Sequence, residues 1–407
     1  MSLSTIAIDL SPLKSSRQFG RLYTAGLLAM FAGELVGTSL FLQVHALAGP
    51  VAVGLVGALR SVAMVSGLLV GGYLADRLDK RFLIAGTGAF VSILMLALAI
   101  NACADKPSLV ALFFIAAFAG AGQGLSAPAA MAAAATLVAP HQFAAIGALN
   151  TIAGRIAGVL SPIAAGFLMG SFGETTVYAV GSVVALSGGA LSLSLSRMQV
   201  VGVVGPSYHA SMSEALAFVR TSPIICAVLT IDFAAMLFAT PFSLIPNLAG
   251  GVFGGGPETA GLLYSAPATG ALLASLLSGW IGRTTRPGRW LLLAALMWPV
   301  AITAFGLSAT VVLAIACLAI AGFADATSEI IRTALVQANT PSHLRGRVNG
   351  IWLTQALMGP ALGNIYTATV AGFLGPSAAI VIGGLMSATA TIASGLAFPV
   401  LRRTKAS

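Results

Sequence analysis

The sequence has 407 residues, of which 58% are hydrophobic and 8% charged, with a mean hydropathy of +0.98. Soluble domains carry roughly a quarter charged residues, so this composition excludes an ordinary globular protein and leaves a polytopic membrane protein. The formal net charge of +9 does not point to nucleic acid, because the bases come in ones to threes between apolar runs, as topology signals do.

Helices are expected throughout. The 47 Gly and 18 Pro do not argue otherwise, because neighbouring membrane helices satisfy the backbone groups that such residues free. Three cysteines, Cys103, Cys226 and Cys317, show no paired spacing and predict no disulfide framework. The first apolar stretch is too long for a signal-peptide core and lacks a cleavage site, so the N-terminus is expected to be retained.

Apolar windows of about 20 residues predict twelve spanning helices, near 22–45, 51–73, 82–102, 109–134, 147–169, 176–195, 224–248, 259–281, 290–308, 311–334, 348–372 and 377–399. Of the 20 Lys and Arg, only Lys106 falls in the odd connections, and Arg60, Arg155 and Arg332 fall inside helices. The remainder lie in alternate connections or the termini. The positive-inside rule then predicts both termini in the cytoplasm. The longest polar segment, 197–223, is expected to be a cytoplasmic linker with an interfacial helix, joining an N-terminal six-helix half (1–196) to a C-terminal one (224–407). An offset of about 200 residues relates the halves, pairing Glu34 with Asp232, Pro140 with Pro341 and Arg81 with Arg289.

The most charged turn is Gly72-Tyr73-Leu74-Ala75-Asp76-Arg77-Leu78-Asp79-Lys80-Arg81. It resembles the signature loop of the major facilitator superfamily of secondary transporters, with Asp79 where that pattern usually has a second glycine. Further matches run nearly end to end and in order: Ser11-Pro12-Leu13-Lys14, Arg155 with Ser161-Pro162, Gly261-Leu262-Leu263-Tyr264, Arg286-Pro287-Gly288, and the run from Thr340 through Arg345, Arg347 and Trp352. On these the chain is similar to the enterobactin (siderophore) exporter family. The resemblance implies an all-α major facilitator fold of two pseudo-symmetric six-helix halves. It also implies export of a siderophore or related small molecule across the bacterial inner membrane by alternating access, with no enzymatic activity. The alternative is a broad multidrug/proton antiporter. A conformational gate is expected at Gly72, Asp76, Arg77, Arg81, Arg345 and Arg347, with Asp76 reaching a helix end in one state.

Charges within spans cost about 2.5–3.5 kcal/mol at the bilayer centre and mark substrate or proton paths. Glu34, Asp232, Asp325 and Glu329 are therefore the expected proton-coupling acids, with Arg60 or Arg155 available to pair with Glu34 or Asp232. Arg60, Arg155 and Gln123 are the expected substrate contacts, since a guanidinium binds oxygen anions and stacks on rings. Asp325, Glu329 and Arg332 share one face of the tenth helix, and Arg332 is expected to snorkel to the interface. Antiporters of the superfamily carry an arginine three residues before Gln123-Gly124, where this chain has Gly120, so that charge must be absent or relocated. Ser161-Pro162-Ile163-Ala164-Ala165-Gly166 is a degenerate antiporter pattern that allows close packing. The histidines lack metal-ligand spacing and no nucleotide-binding loop occurs. No cofactor, metal or nucleic-acid partner is expected. The expected partners are a small-molecule substrate, protons and the lipid bilayer, with the chain acting as a monomer.

Overall fold

The computed structural model describes residues 9–197 and 208–403, excepting the side chains of 208–211, 282, 283 and 403. Residues 198–207 of the expected linker, Lys405, and the side chains of His209, Ser211, Arg283 and Arg403 thus lie outside the described residues. The described chain is all-α. Twelve long helical segments follow one another: α1 (17–48), α2 (50–75), α3 (Lys80–Ala102), α4 (Leu109–Leu137), α5 (Phe143–Phe172), α6 (Glu174–Leu193), α7 (Pro223–Phe238, continued by Ile245–Gly251), α8 (Pro257–Leu276), α9 (Pro287–Gly306), α10 (Val311–Asn339), α11 (Arg345–Leu374) and α12 (Pro376–Ala397). An amphipathic helix, Tyr208–Thr221, precedes α7.

The expected break between the first two helices is a single residue. Helical hydrogen bonding runs over Arg17–Ala75, interrupted only where Gly49 takes φ 75° and ψ −174° before Pro50. Only glycine adopts that backbone readily, and proline cannot donate into the preceding turn. Nine segments among the described residues are long and apolar enough to cross a membrane, one of them the fused α1–α2. The two left out, α8 and α11, dilute their apolar residues, α8 with Gly, Ser, Thr, Tyr and Pro and α11 also with Arg345, Arg347, Asn349, Gln355 and Asn364.

The chain divides into two compact units, one of Met1–Ala52, Leu59–Val203 and Gly255–Ser265, the other of Val53–Ala58, Val204–Gly254 and Ala266–Ser407. In the first, α3 packs against α4 and α6. Gly88 and Gly189 meet there: a Cβ on Gly88 would stand 2.8 Å from the Cα of Gly189. A hydrogen bond of 2.8 Å between the buried Ser92 and Ser182 hydroxyls ties the same pair. The pattern around Pro162 has a packing reason, since a Cβ on Gly166 would strike the Pro257 carbonyl and one on Gly261 the Pro162 carbonyl. In the second unit, α9 packs on α10 and α12 around a core that includes Ile225, Val228, Ile231, Leu291 and Ile331.

Candidate functional site

In the charged turn, Asp79 starts α3. Its carboxylate accepts the Arg81 backbone N–H at 3.1 Å and lies 3.0 Å from the Arg81 Nε. This gives the departure from glycine a physical role, because an Asp at a helix start satisfies a backbone donor that would otherwise lack a partner. The Arg77 guanidinium covers the Tyr73 ring at 3.9 Å. Asp76 is exposed, and its carboxylate takes no hydrogen bond among the described residues. A Cβ on Gly72 would meet nothing within 4 Å. In the second unit Arg345 donates to the Thr340 carbonyl at 3.1 Å and Arg347 to that of His343 at 3.2 Å. Both arginines therefore brace their own turn.

Arg60 of α2 reaches across to α1 and α4. Its Nη2 donates to Gln123 Oε1 at 2.9 Å and to the Gly33 carbonyl at 3.2 Å. Glycines make the passage: a Cβ on Gly37 would stand 2.5 Å from Arg60 Nη1, and one on Gly120 would overlap the Arg60 carbonyl. The positive charge beside Gln123 thus comes from α2. Gly120, where related antiporters carry arginine, is the notch that admits the α2 backbone. Glu34 acts electrostatically on the same guanidinium.

Beside this group the first unit holds a partly open cavity of about 380 Å³. Glu34, Gln123 and Ser126 give it a polar end, while Leu22, Met30, Met64, Ile84 and Val91 line the rest. Its walls are flattened by Gly26, Gly33, Gly122, Gly154 and Gly188. Arg60 holds Gln123 at the edge of this space. Arg155 is partly buried on α5 next to the lining residue Gly154 and is not among the lining residues.

The expectations for Asp232 and Arg332 need correction. Asp232 is 1% exposed and pairs with Arg332, itself 4% exposed, not with Arg60 or Arg155. Arg332 is therefore sequestered and does not snorkel. Trp352 Nε1 and Gln355 Nε2, both on α11, donate to the other carboxylate oxygen of Asp232 at 3.2 and 3.1 Å. Asp325, with its side chain 45% exposed, shares the guanidinium at 3.2 Å, so the i, i+7 pair on α10 does form. Glu329 is partly buried one turn on.

Trp352 and Gln355 were missed because a Trp and a Gln in an otherwise mixed helix carry no signal of their own. A second network was also missed. Buried Gln43 on α1 donates to Glu174 at 2.5 Å and accepts from the Tyr178 hydroxyl at 2.8 Å, both on α6. Glu174 begins its helix directly after Gly173, so by sequence it reads as part of a connection.

A family model described as transmembrane secretion effector matches residues 7–406. The enterobactin exporter EntS of Shigella flexneri is 29% identical over 368 residues, 89% of this chain and 87% of that protein. The EntS proteins of Citrobacter koseri and Salmonella typhimurium are 29% and 27% identical over 94% of this chain, covering 92% and 93% of theirs. Among solved structures, the nucleoside transporter NupG superposes with a TM-score of 0.72 at 15% identity, covering 94% of this chain and 99% of that one. A D-xylose-proton symporter gives 0.71 at 14% identity, covering 92% and 96%. At such identities the superpositions speak for the fold, which is that of the major facilitator transporters.

Proposed function

The chain belongs to the transmembrane secretion effector family, and from that premise we propose that it exports a siderophore or a related small molecule by alternating access, driven by protons. It is a multi-pass membrane protein; we place it in the bacterial inner membrane with both termini in the cytoplasm. The observation that carries the reading is the cavity of the first unit, where one carboxylate, one amide held by a half-buried arginine and an apolar wall converge. Such a site suits a ligand with hydrogen-bonding groups on a ring or chain.

Glu34 is the acid we assign to coupling in this unit, because it lines the cavity and stands within electrostatic reach of Arg60. In the second unit Asp325, partly exposed and sharing Arg332, is better placed than the enclosed Asp232 to exchange protons, and Glu329 lies one turn away. Arg60 and Gln123 act as a unit at the cavity edge, with Arg155 as a further contact. We assign conformational gating to Gly72, Asp76, Arg77 and Arg81 in the first unit and to Arg345 and Arg347 in the second.

The test is efflux from proteoliposomes under an imposed pH gradient, with a siderophore as cargo. Glu34→Gln should abolish gradient-driven efflux and spare substrate exchange. If it exports with unchanged dependence on the gradient, the coupling assignment is wrong. The apolar lining of the cavity also suits a broad multidrug antiporter. Comparable transport of unrelated amphiphilic drugs would favour that second reading.

A further inference from the structure

The connection between α8 and α9 is the counterpart of the charged turn and has lost its acids. In the first turn, Asp79 answers Arg81 and a tyrosine ring covers Arg77. In the second, Arg283, Arg286 and Arg289 stand in a stretch, 259–324, without a single Asp or Glu, and residues 330–407 also contain none. The turn folds onto the end of the chain. A Cβ on Gly288 would overlap the Leu401 carbonyl, and Arg289 Nε donates to the Arg402 carbonyl at 3.4 Å. Exposed Arg289 and Arg402 are thereby brought together, exposed Arg286 stands one helical turn before Arg289 at the start of α9, and no acidic side chain among the described residues pairs with them. Two of the four tryptophans flank this basic patch: Trp280 and Trp290, 37% and 45% exposed, meet edge to face with centroids 4.8 Å apart.

We propose that this patch binds the phosphate head group of an anionic membrane lipid, with the arginines taking the phosphate oxygens and the tryptophan pair bedded at the head-group level. Guanidinium forks match phosphate geometry. Tryptophan prefers the membrane–water boundary, and basic clusters next to spans draw anionic lipid. The start of α9 adds its partial positive charge, since no side chain caps it. A topology signal needs only charge on the proper side; it needs neither the docking of the chain end at Gly288 nor an edge-to-face tryptophan pair.

The test places the full chain in nanodiscs of phosphatidylcholine containing brominated phosphatidylglycerol, and reads quenching of tryptophan fluorescence. Wild type should be quenched several-fold beyond the mole fraction of brominated lipid. Each Arg→Gln change among Arg286, Arg289 and Arg402 should weaken the preference roughly fivefold, and Trp280→Phe with Trp290→Phe should remove the excess signal. Because lost arginines can disturb insertion, a triple Arg→Lys variant keeps the charge and should lose part of the preference with unchanged melting. Quenching that follows the mole fraction in wild type, or survives in the triple Gln variant, overturns the proposal. So does abolition of the excess by inorganic phosphate at constant ionic strength, which would make the site one for free phosphate.

Discussion

Asp232 and Arg332 form the most enclosed ion pair of the second unit, and their energetics follow from that enclosure. A buried pair adds little net stability over an apolar pair, whereas removing one partner leaves the other charged in a medium that cannot solvate it, at about 3–5 kcal/mol. Arg332→Met should therefore lower the melting temperature in detergent steeply. Asp232→Asn combined with Arg332→Met should recover much of the loss, since Trp352 and Gln355 can still donate to the Asn oxygen. Single variants that melt like wild type would show that the carboxylate is solvated after all. Arg60 differs: its guanidinium is satisfied by Gln123 and Gly33 at the edge of a cavity, so Gln123→Ala should loosen the arginine and weaken substrate binding more than stability, read by ligand-induced thermal shift.

The helices themselves offer two separable tests. Asp79 caps α3 with its side chain. Asp79→Ala should destabilise by about 1 kcal/mol and Asp79→Gly, which restores the glycine usual at this position in the superfamily, by only a few tenths. Equal melting of both variants would mean that the Arg81 contact outweighs the cap. Gly49 is the other. Nothing lies within 4 Å of a Cβ built there, so Gly49→Ala tests the backbone alone and should cost about 1–3 kcal/mol, the usual range for an L residue in that region. An unchanged melting curve would show that α1 and α2 tolerate a different junction.

For the whole molecule, the membrane supplies the frame. Single cysteines at Leu78 and Ala104, exposed at the two ends of α3, should label from opposite faces in a cysteine-free background, Leu78 from the cytoplasm. Labelling of both from one face would undo the topology. Asp76 bears on the cycle rather than on the fold, because its exposed carboxylate is free of hydrogen bonds among the described residues. Asp76→Asn should slow turnover with little change in substrate affinity, by removing a charge that a helix N-terminus favours in the alternate state. Wild-type turnover would leave the turn a topology signal only.

The spans, their order and the charged turn were all legible in the amino-acid sequence, since each depends on how many apolar residues follow one another, a property local to the chain. That is also why the expected helices agree with the observed ones to within about five residues, save at 224–248, where the expected single helix breaks between Phe238 and Ile245, and why the i, i+7 contact of Asp325 with Arg332 was readable from one helix. Partners on different helices were not. Each residue turns a helix by about 100° and raises it 1.5 Å, so whether Asp232 meets Arg332, Arg60 or Arg155 depends on rotations and depths that hydropathy does not record. Tertiary packing alone decided that Arg60 passes through the glycine notch to Gln123, that Arg332 is enclosed, and that the chain end lies against Gly288 beside Arg289. At Gly120 and Gly288 a close approach of backbones made the contact, at Arg332 a side chain of another helix did, and only the assembled helices determine which of these meet.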